Sequence, residues 1–180
     1  MPFQKPVLSL EEARRAMDRM LQEAHQRFQD RPVAIAIVDD QGELVSFARQ
    51  DRCAPQPPLI ARKKAYTAAR TRSNTVDYAQ RLKSQGRSAA EFGDPNLLAL
   101  QGGVVIPGPE GTALGGIGVS GLTAAEDEQL AQVGLQAITS RQAVAQMGEG
   151  MPPPAPIQGD NATPERPLPQ TLTSGSESKP

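Results

Sequence analysis

The chain has 180 residues, of which 38% are hydrophobic, enough for one domain with a buried core. Its net charge of −1 gives no overall attraction to nucleic acid or to an anionic membrane, and no stretch approaches the roughly 20 apolar residues that span a bilayer. A single cysteine, Cys53, excludes an internal disulfide and a cysteine-based zinc site. With no secretory pattern at the N-terminus, these features favour a cytoplasmic protein without a metal centre.

The first part of the chain predicts a helix followed by a β-hairpin. Ser9 and Glu12 have the spacing of a capping box, and apolar residues then recur at helical intervals over about 10–29. Pro32 ends this helix. The apolar, β-branched run 33–38 and the run 43–48 are typical of strands, and the polar turn 39–42 joins them.

The middle of the chain predicts helices. Three prolines predict a rigid loop over 54–58, and an alanine-rich helix that can lie close to a sheet follows over about 59–72. Thr75 has the character of an N-cap for a short helix that ends near 84–86. The stretch 79–101 is typical of a lid or a pocket-lining insertion.

Residues 102–107 and 113–120 predict a second hairpin, and Thr123 with Glu126 predicts a capping box for a last helix to about 147. We therefore expect one α+β domain over 1–148, with a central antiparallel sheet flanked by helices. The segment 149–180 holds eight prolines and no aromatic residue, which predicts a disordered tail.

Charge is concentrated in one segment. Residues 49–87 carry ten Lys/Arg and only two acids, although the whole chain is slightly acidic. A local positive field of this kind can attract a carboxylate or a phosphate. The alternative is a solvated helix face that pairs with acids of a neighbouring subunit, and both interpretations stay open.

Glycines precede the last helix. Gly116, Gly118 and Gly121 have the spacing of a dinucleotide fingerprint, but only the tail follows that helix, so the required second strand and its acid are missing. The turn at Ser120 and Gly121 instead leaves backbone N–H groups free beside a helix N-terminus, which suits an anionic small molecule. Alternatively, the glycines serve close packing of a helix on the strand.

Several charged residues are candidates for chemistry. Lys64 lies on the small-residue side of the second predicted helix, where it could bind a carboxylate or act as a base, or could be an ordinary surface lysine. Arg49 and Asp51 end the second strand and could line the same cleft. Asp127 and Glu128 lie in the first turn of the last helix, where interaction with the helix dipole is sufficient to explain one of them.

Four blocks of this sequence together resemble the haem-binding-protein-like family. They are the segment 38–51, the helical segment 61–69, the pair Gly102-Gly103, and the segment 118–128 with Gly134. The resemblance covers about residues 8–146. The family includes protein G of glycolate-utilisation operons, extracellular haem-binding proteins, and the C-terminal domain of some propanediol-utilisation cobalamin adenosyltransferases.

The resemblance implies a profilin-like α+β fold that usually assembles as dimers or larger rings. Some members of the family bind or degrade haem, and others accompany enzymes of organic-acid or aromatic catabolism. It places the following residues on the family's recurrent positions: Arg49, Asp51, Lys64, Gly102, Gly103, Ser120, Gly121, Asp127 and Glu128. Haem as a cofactor has few candidate iron ligands here (His25, Tyr66, Tyr78, Cys53 or a methionine), and aromatic residues are only 3% of the chain. The residues therefore favour a small carboxylate over a tetrapyrrole.

Three functions follow from these observations. The first is a binding protein for an anionic small molecule, in which Arg49, Asp51, Lys64, Gly102, Gly103, Ser120 and Gly121 contact the ligand. The second is an enzyme, a lyase, hydrolase or tautomerase that acts on a small oxidised organic acid, with Lys64, Asp127 and Glu128 as catalytic residues. The third is an assembly module without a ligand. In each case we expect a homo-oligomer, with neither nucleic acid nor membrane as a partner.

Overall fold

The structure is a computed structural model that describes residues 5–28 and 31–148. Its elements in chain order are α1 (Leu10–Arg27), β1 (Ala34–Asp39), β2 (Leu44–Arg49), α2 (Pro57–Thr71), α3 (Thr75–Ser84), β3 (Gly103–Pro107), β4 (Ala113–Ser120) and α4 (Ala124–Gly148). Two short 3₁₀ turns, Ala89–Phe92 and Pro109–Gly111, lie before and after β3. The predicted disordered tail, 149–180, lies outside the described residues.

The four strands form one antiparallel sheet in the order β2-β1-β4-β3. Strands β1 and β2 form one hairpin, and β3 and β4 form the other. The two hairpins join where β1 pairs with β4, from Ala34 opposite Ser120 to Asp39 opposite Gly115. The α+β class and the central antiparallel sheet are therefore confirmed. Among the described residues, no helix combines the length and the apolar character that crossing a bilayer requires.

The two faces of the sheet carry different cores because successive residues of β1 point to opposite sides. Val33, Ile35 and Ile37 are fully buried against α1 and α4. Ala34 and Ala36 face α2, whose buried residues toward the sheet are also alanines. The predicted arrangement of helices on both faces is confirmed, and the small residues bring α2 close to the strands.

Glycines in β4 make this close approach possible. A Cβ atom on Gly118 would lie 2.1 Å from the carbonyl oxygen of Ala61, and one on Gly116 would lie 2.2 Å from that of Ala65. Any side chain here would push α2 off the sheet. Gly116 and Gly118 therefore serve helix–strand packing, as one of the two alternatives for the glycine pattern predicts.

Some predicted boundaries are wrong, each for a local reason. Helix α2 begins at Pro57 and includes Pro58, so the predicted loop 54–58 is too long. Proline fits a first helical turn because the N–H groups of that turn have no partner within the helix, and proline has no N–H to leave unpaired. Asn74 occupies the N-cap position of α3 instead of Thr75. The Thr75 hydroxyl oxygen instead accepts from Gly103 N at 2.9 Å and so joins α3 to β3.

Candidate functional site

A buried ion pair joins α2 to the start of α4. Lys64 Nζ donates to Asp127 Oδ2 at 2.8 Å and to the Val119 carbonyl oxygen at 2.9 Å. Each of the two charged residues is only 3% exposed. The second carboxylate oxygen of Asp127 accepts from Leu122 N at 3.1 Å, so this one side chain also holds the turn between β4 and α4.

The electrostatics of this pair combine two opposing effects. Burial raises the pKa of the Asp127 carboxyl above its ordinary value, and the hydrogen bonds from Lys64 and Leu122 partly oppose that rise. Removing either partner of such a pair leaves a buried polar group uncompensated, which typically destabilises a protein by about 3–5 kcal/mol. The pair therefore joins α2 to α4, and neither partner can be removed alone without leaving the other uncompensated.

The glycine pair before and in β3 makes room for this link. Gly102 has φ +112°, and a Cβ atom there would lie 2.6 Å from Lys64 Nζ and 2.7 Å from Asp127 Cβ. A Cβ atom on Gly103 would lie 2.6 Å from the Lys64 carbonyl oxygen. Both glycines contact Lys64, so the structure brings these predicted residues together.

The turn after β4 contains the next two predicted residues. Ser120 is buried, whereas Gly121 is exposed with φ +135°, and a Cβ atom there would lie 2.6 Å from the Pro32 carbonyl oxygen. Gly121 is therefore required both by its backbone conformation and by its contact with the segment that leads into β1.

Helix α4 begins with the predicted capping box. Glu126 N donates to Thr123 Oγ1 at 3.4 Å, and Thr123 N donates to Glu126 Oε2 at 3.0 Å. Arg31 adds two hydrogen bonds to the same carboxylate, at 2.7 and 2.8 Å. Hydrogen bonds from Arg31 and Thr123 lower the pKa of Glu126 to about 2. Glu128, the other predicted acid, accepts from Gln101 Nε2 at 2.6 Å and has no hydrogen bond to Lys64 among the described residues.

Arg49 and Asp51 line a separate cleft of about 510 Å³. Residues 48–52 form one wall, and Leu21 and Pro32 also line it. Lys64 is not among the described residues that line this cleft, so the expectation that it shares a cleft with Arg49 and Asp51 is not met. The cleft still adjoins the glycine turn, because the Pro32 that lines it also contacts Gly121.

Sequence reasoning missed Arg52 in this cleft. Its backbone has φ +65°, which is uncommon for a residue other than glycine. Neither Arg49 nor Arg52 forms a salt bridge within the part of the chain that the structure describes. The position of Arg52 in the basic segment, next to Asp51, was the available signal. Thr75, which contacts Gly103, and Gln101, which contacts Glu128, have no feature in the sequence that would mark them as site residues.

The residues that line this cleft fit haem iron poorly. His25 is exposed on α1, and Tyr66 donates its hydroxyl to Asp94 at 2.8 Å. Burial raises the pKa of the Cys53 thiol, which disfavours the thiolate, and Arg49 opposes this effect only in part. The residues known to line the cleft offer arginines for carboxylates but no usual ligand for iron.

Comparisons with known proteins agree on one family. The family model for haem degrading proteins of the HbpS-like type matches residues 8–136. Protein GlcG of Escherichia coli (strain K12) is 40% identical over 88 residues, which cover 49% of this chain and 63% of GlcG. The match thus spans less than two thirds of that curated relative.

Solved structures share the fold. A double mutant of HbpS from Streptomyces reticuli superposes with a TM-score of 0.67 and 30% identity, and the alignment covers 76% of this chain and 90% of that one. The crystal structure of a PduOC:heme complex has a TM-score of 0.64 at 24% identity, over 74% of this chain and 96% of that one. The protein ORFY of Klebsiella pneumoniae has a TM-score of 0.67 at 22% identity, over 78% and 97%. The last two likenesses concern the fold alone.

Proposed function

Because the chain belongs to the HbpS-like family of haem degrading proteins, as the sequence resemblance predicts, we propose that it is a small-molecule-binding protein that holds an anionic ligand. The observation that carries this proposal is the cleft at the end of β2, where Arg49 and Arg52 have no salt bridge to any described residue. A guanidinium without a protein partner is well suited to bind a carboxylate through two parallel hydrogen bonds.

The lining of the cleft favours a small carboxylate with a hydrogen-bond donor. Two arginines and Asp51 leave a net charge of +1 along this wall. Asp51 disfavours a second negative charge on the ligand and accepts a hydrogen bond from a hydroxyl group. Leu21, Pro32 and Ala48 supply an apolar surface for the carbon chain of the ligand. A small hydroxy acid combines these features.

The buried pair of Lys64 and Asp127 lies outside this cleft and fixes the turn that packs against its wall. Lys64 and Asp127 hold the turn at Ser120 and Gly121, and Gly121 packs on the Pro32 that lines the cleft. We propose that Lys64, Gly102, Gly103, Ser120 and Gly121 contribute to binding by fixing this wall.

A binding titration tests the proposal. Glycolate is titrated into the protein and followed by calorimetry or by amide chemical shifts, first in the wild type and then in Arg49→Met and Arg52→Met. Each substitution should weaken binding by about tenfold or more, because it removes a charge-assisted hydrogen bond. Arg14→Met, an exposed arginine on α1 outside the cleft, is the matched control and should bind like the wild type. Absence of binding, or equal binding by all variants, would refute the proposal.

A haemin titration decides whether the anion is a tetrapyrrole. If haemin binds through its propionates, its Soret band should shift with the wild type and with His25→Ala, and the shift should be lost with Arg49→Met. A shift that survives Arg49→Met and is lost with His25→Ala would instead assign haem to α1 and contradict this cleft as its site.

A second candidate is an enzyme that acts on a small oxidised organic acid, and the raised pKa of Asp127 beside Lys64 favours it. A carboxyl and an amine paired in a dry site can exchange a proton, which a lyase, hydrolase or tautomerase requires. Lys64, Asp127 and Glu128 would then be catalytic, and the buried pair would have to open to admit substrate.

The variants Lys64→Met and Glu128→Gln test this candidate on a substrate that the wild type converts. Each substitution should lower kcat by at least about a hundredfold if the side chain that it removes transfers a proton in the reaction. The double variant Lys64→Met with Asp127→Asn, which keeps an acceptor for Leu122 N, separates stability from chemistry. It should regain part of the stability lost in Lys64→Met but none of the activity. Turnover that persists in the folded variants would exclude the catalytic roles.

A further inference from the structure

A second cleft lies at the opposite end of the sheet from Arg49 and Arg52. It has a volume of about 360 Å³ and is bordered by the first residue of β4, Ala113, and by Asp40, which directly follows β1. Its buried base is formed by Ala69 and Ala113, which are 2% and 8% exposed. Pro6 and Pro109 add further apolar surface. The cleft is thus a small apolar pocket, and its charged residues lie around the opening.

Four charged residues border this opening, and they are not equivalent. Lys5 and Asp40 form a salt bridge with each other, and the hydrogen bond from Lys5 lowers the pKa of the Asp40 carboxyl. Arg72 and Glu110 border the same cleft but form no salt bridge with each other or with any other described residue. Within the part of the chain that the structure describes, one positive and one negative group therefore remain without a salt-bridge partner.

The backbone at these two residues is strained. Arg72 has φ +52° and Glu110 has φ +54°, in the left-handed region that side chains other than glycine disfavour. Arg72 directly follows helix α2 as its C-cap residue, in the left-handed conformation for which glycine is the usual residue at a helix end. The described chain has three non-glycine residues with positive φ, and each borders one of the two clefts. Strain of this kind concentrates at functional sites.

From these observations we infer that the cleft bordered by Arg72 and Glu110 is a second ligand site that takes a small zwitterion. The carboxylate of the ligand pairs with the Arg72 guanidinium, its ammonium group pairs with the Glu110 carboxylate, and its carbon chain lies against Ala69 and Ala113. A ligand with one charge satisfies only one of the two residues and is repelled by the other. This site is independent of the anion site proposed above.

The probe for this site is 6-aminohexanoate, whose two charges are separated by an apolar chain, and its singly charged analogues are hexanoate and hexylamine. Binding is followed by the amide chemical shifts of Ala69, Thr112 and Ala113. The zwitterion should shift these signals with an affinity at least about tenfold above that of either analogue, since each analogue lacks one charge-assisted contact. Equal affinity for hexanoate or hexylamine, or no shift with the zwitterion, overturns the inference.

Variants test the assigned residues. Arg72→Ala and Glu110→Ala should each weaken binding of 6-aminohexanoate by about tenfold or more, whereas the exposed Arg70→Ala, two residues earlier on α2, should bind like the wild type. Arg72→Gly separates binding from folding, because it removes the guanidinium and relieves the strain. It should lose the same binding and raise Tm by about 2–4 °C. Retained binding in Arg72→Ala or Arg72→Gly contradicts the assignment.

Discussion

At the scale of single residues, Gly102 leaves the space that the buried pair occupies. Its φ of +112° is unfavourable for any side chain, and a Cβ atom would approach Lys64 Nζ and Asp127 Cβ within 2.7 Å. Lys64 cannot move aside without losing its hydrogen bonds to Val119 and Asp127. The cost of a side chain at this position therefore combines backbone strain with crowding of a buried ion pair.

We expect Gly102→Ala to lower the free energy of unfolding by about 2–4 kcal/mol, as measured by urea denaturation. Gly86→Ala is the matched control, because Gly86 also has positive φ (+63°) but a Cβ atom there would have no atom within 4 Å beyond its own chain neighbours. It should cost only about 1–2 kcal/mol. Equal losses in the two variants would show that backbone strain alone matters and that the contact with Lys64 does not.

At the scale of elements, the first turn of α4 is stabilised from three directions. Thr123 and Glu126 cap it, Asp127 ties it to α2 through Lys64, and Arg31 ties it to the segment before β1. Acids in a first helical turn also interact favourably with the helix dipole. The start of this helix is therefore fixed by its own capping residues and by side chains from α2 and from the segment before β1.

The pKa of Glu126 gives this arrangement a pH dependence. Its pKa is lowered from 4.5 to about 2 in the folded protein, so its contribution to stability is complete above pH 4.5 and is lost as the pH falls through about 2. Glu126→Gln keeps a capping side chain but removes the charge. The difference in Tm between wild type and this variant should be constant above pH 4.5, should shrink as the pH falls through about 2, and should disappear below that pH. A difference that does not change with pH would exclude the ion pair as its cause.

At the scale of the whole molecule, the outer strand β2 offers a surface for assembly. It lies at one edge of the sheet and exposes Leu44 and Phe47, which are 50% and 39% exposed, and Leu59 of α2 is 47% exposed. An unpaired edge with apolar side chains is a common site of association. This surface supports the prediction of a homo-oligomer.

Sedimentation velocity tests that prediction. The wild type should sediment as an oligomer, and Phe47→Lys together with Leu44→Lys should reduce its size, because charges on an edge strand oppose pairing. Leu10→Lys changes a residue of similar exposure (51%) at the start of α1 and should leave the oligomer intact. A monomeric wild type would contradict the prediction, and an oligomer unchanged by the β2 variants would place the contact elsewhere.

Local patterns predict nearly every element of this fold, because turns, caps and periodicity depend on neighbouring residues. The capping boxes at Ser9 and Thr123 and the strand 113–120 occur where the patterns predict them. Helix α2 begins two residues before its predicted start, because prolines are typical of a rigid loop but are also favoured in a first helical turn.

The sequence by itself determined the fold class and the family, and it singled out Lys64, Asp127 and Gly102 as candidate site residues, since these follow from pattern and from resemblance. Only the tertiary structure decided how such residues are grouped. It pairs Lys64 with Asp127 in the interior and leaves Arg49 and Arg52 in a separate cleft. Distances between residues 63 positions apart depend on how helices cross the sheet, and that crossing is set by packing of side chains from all elements together.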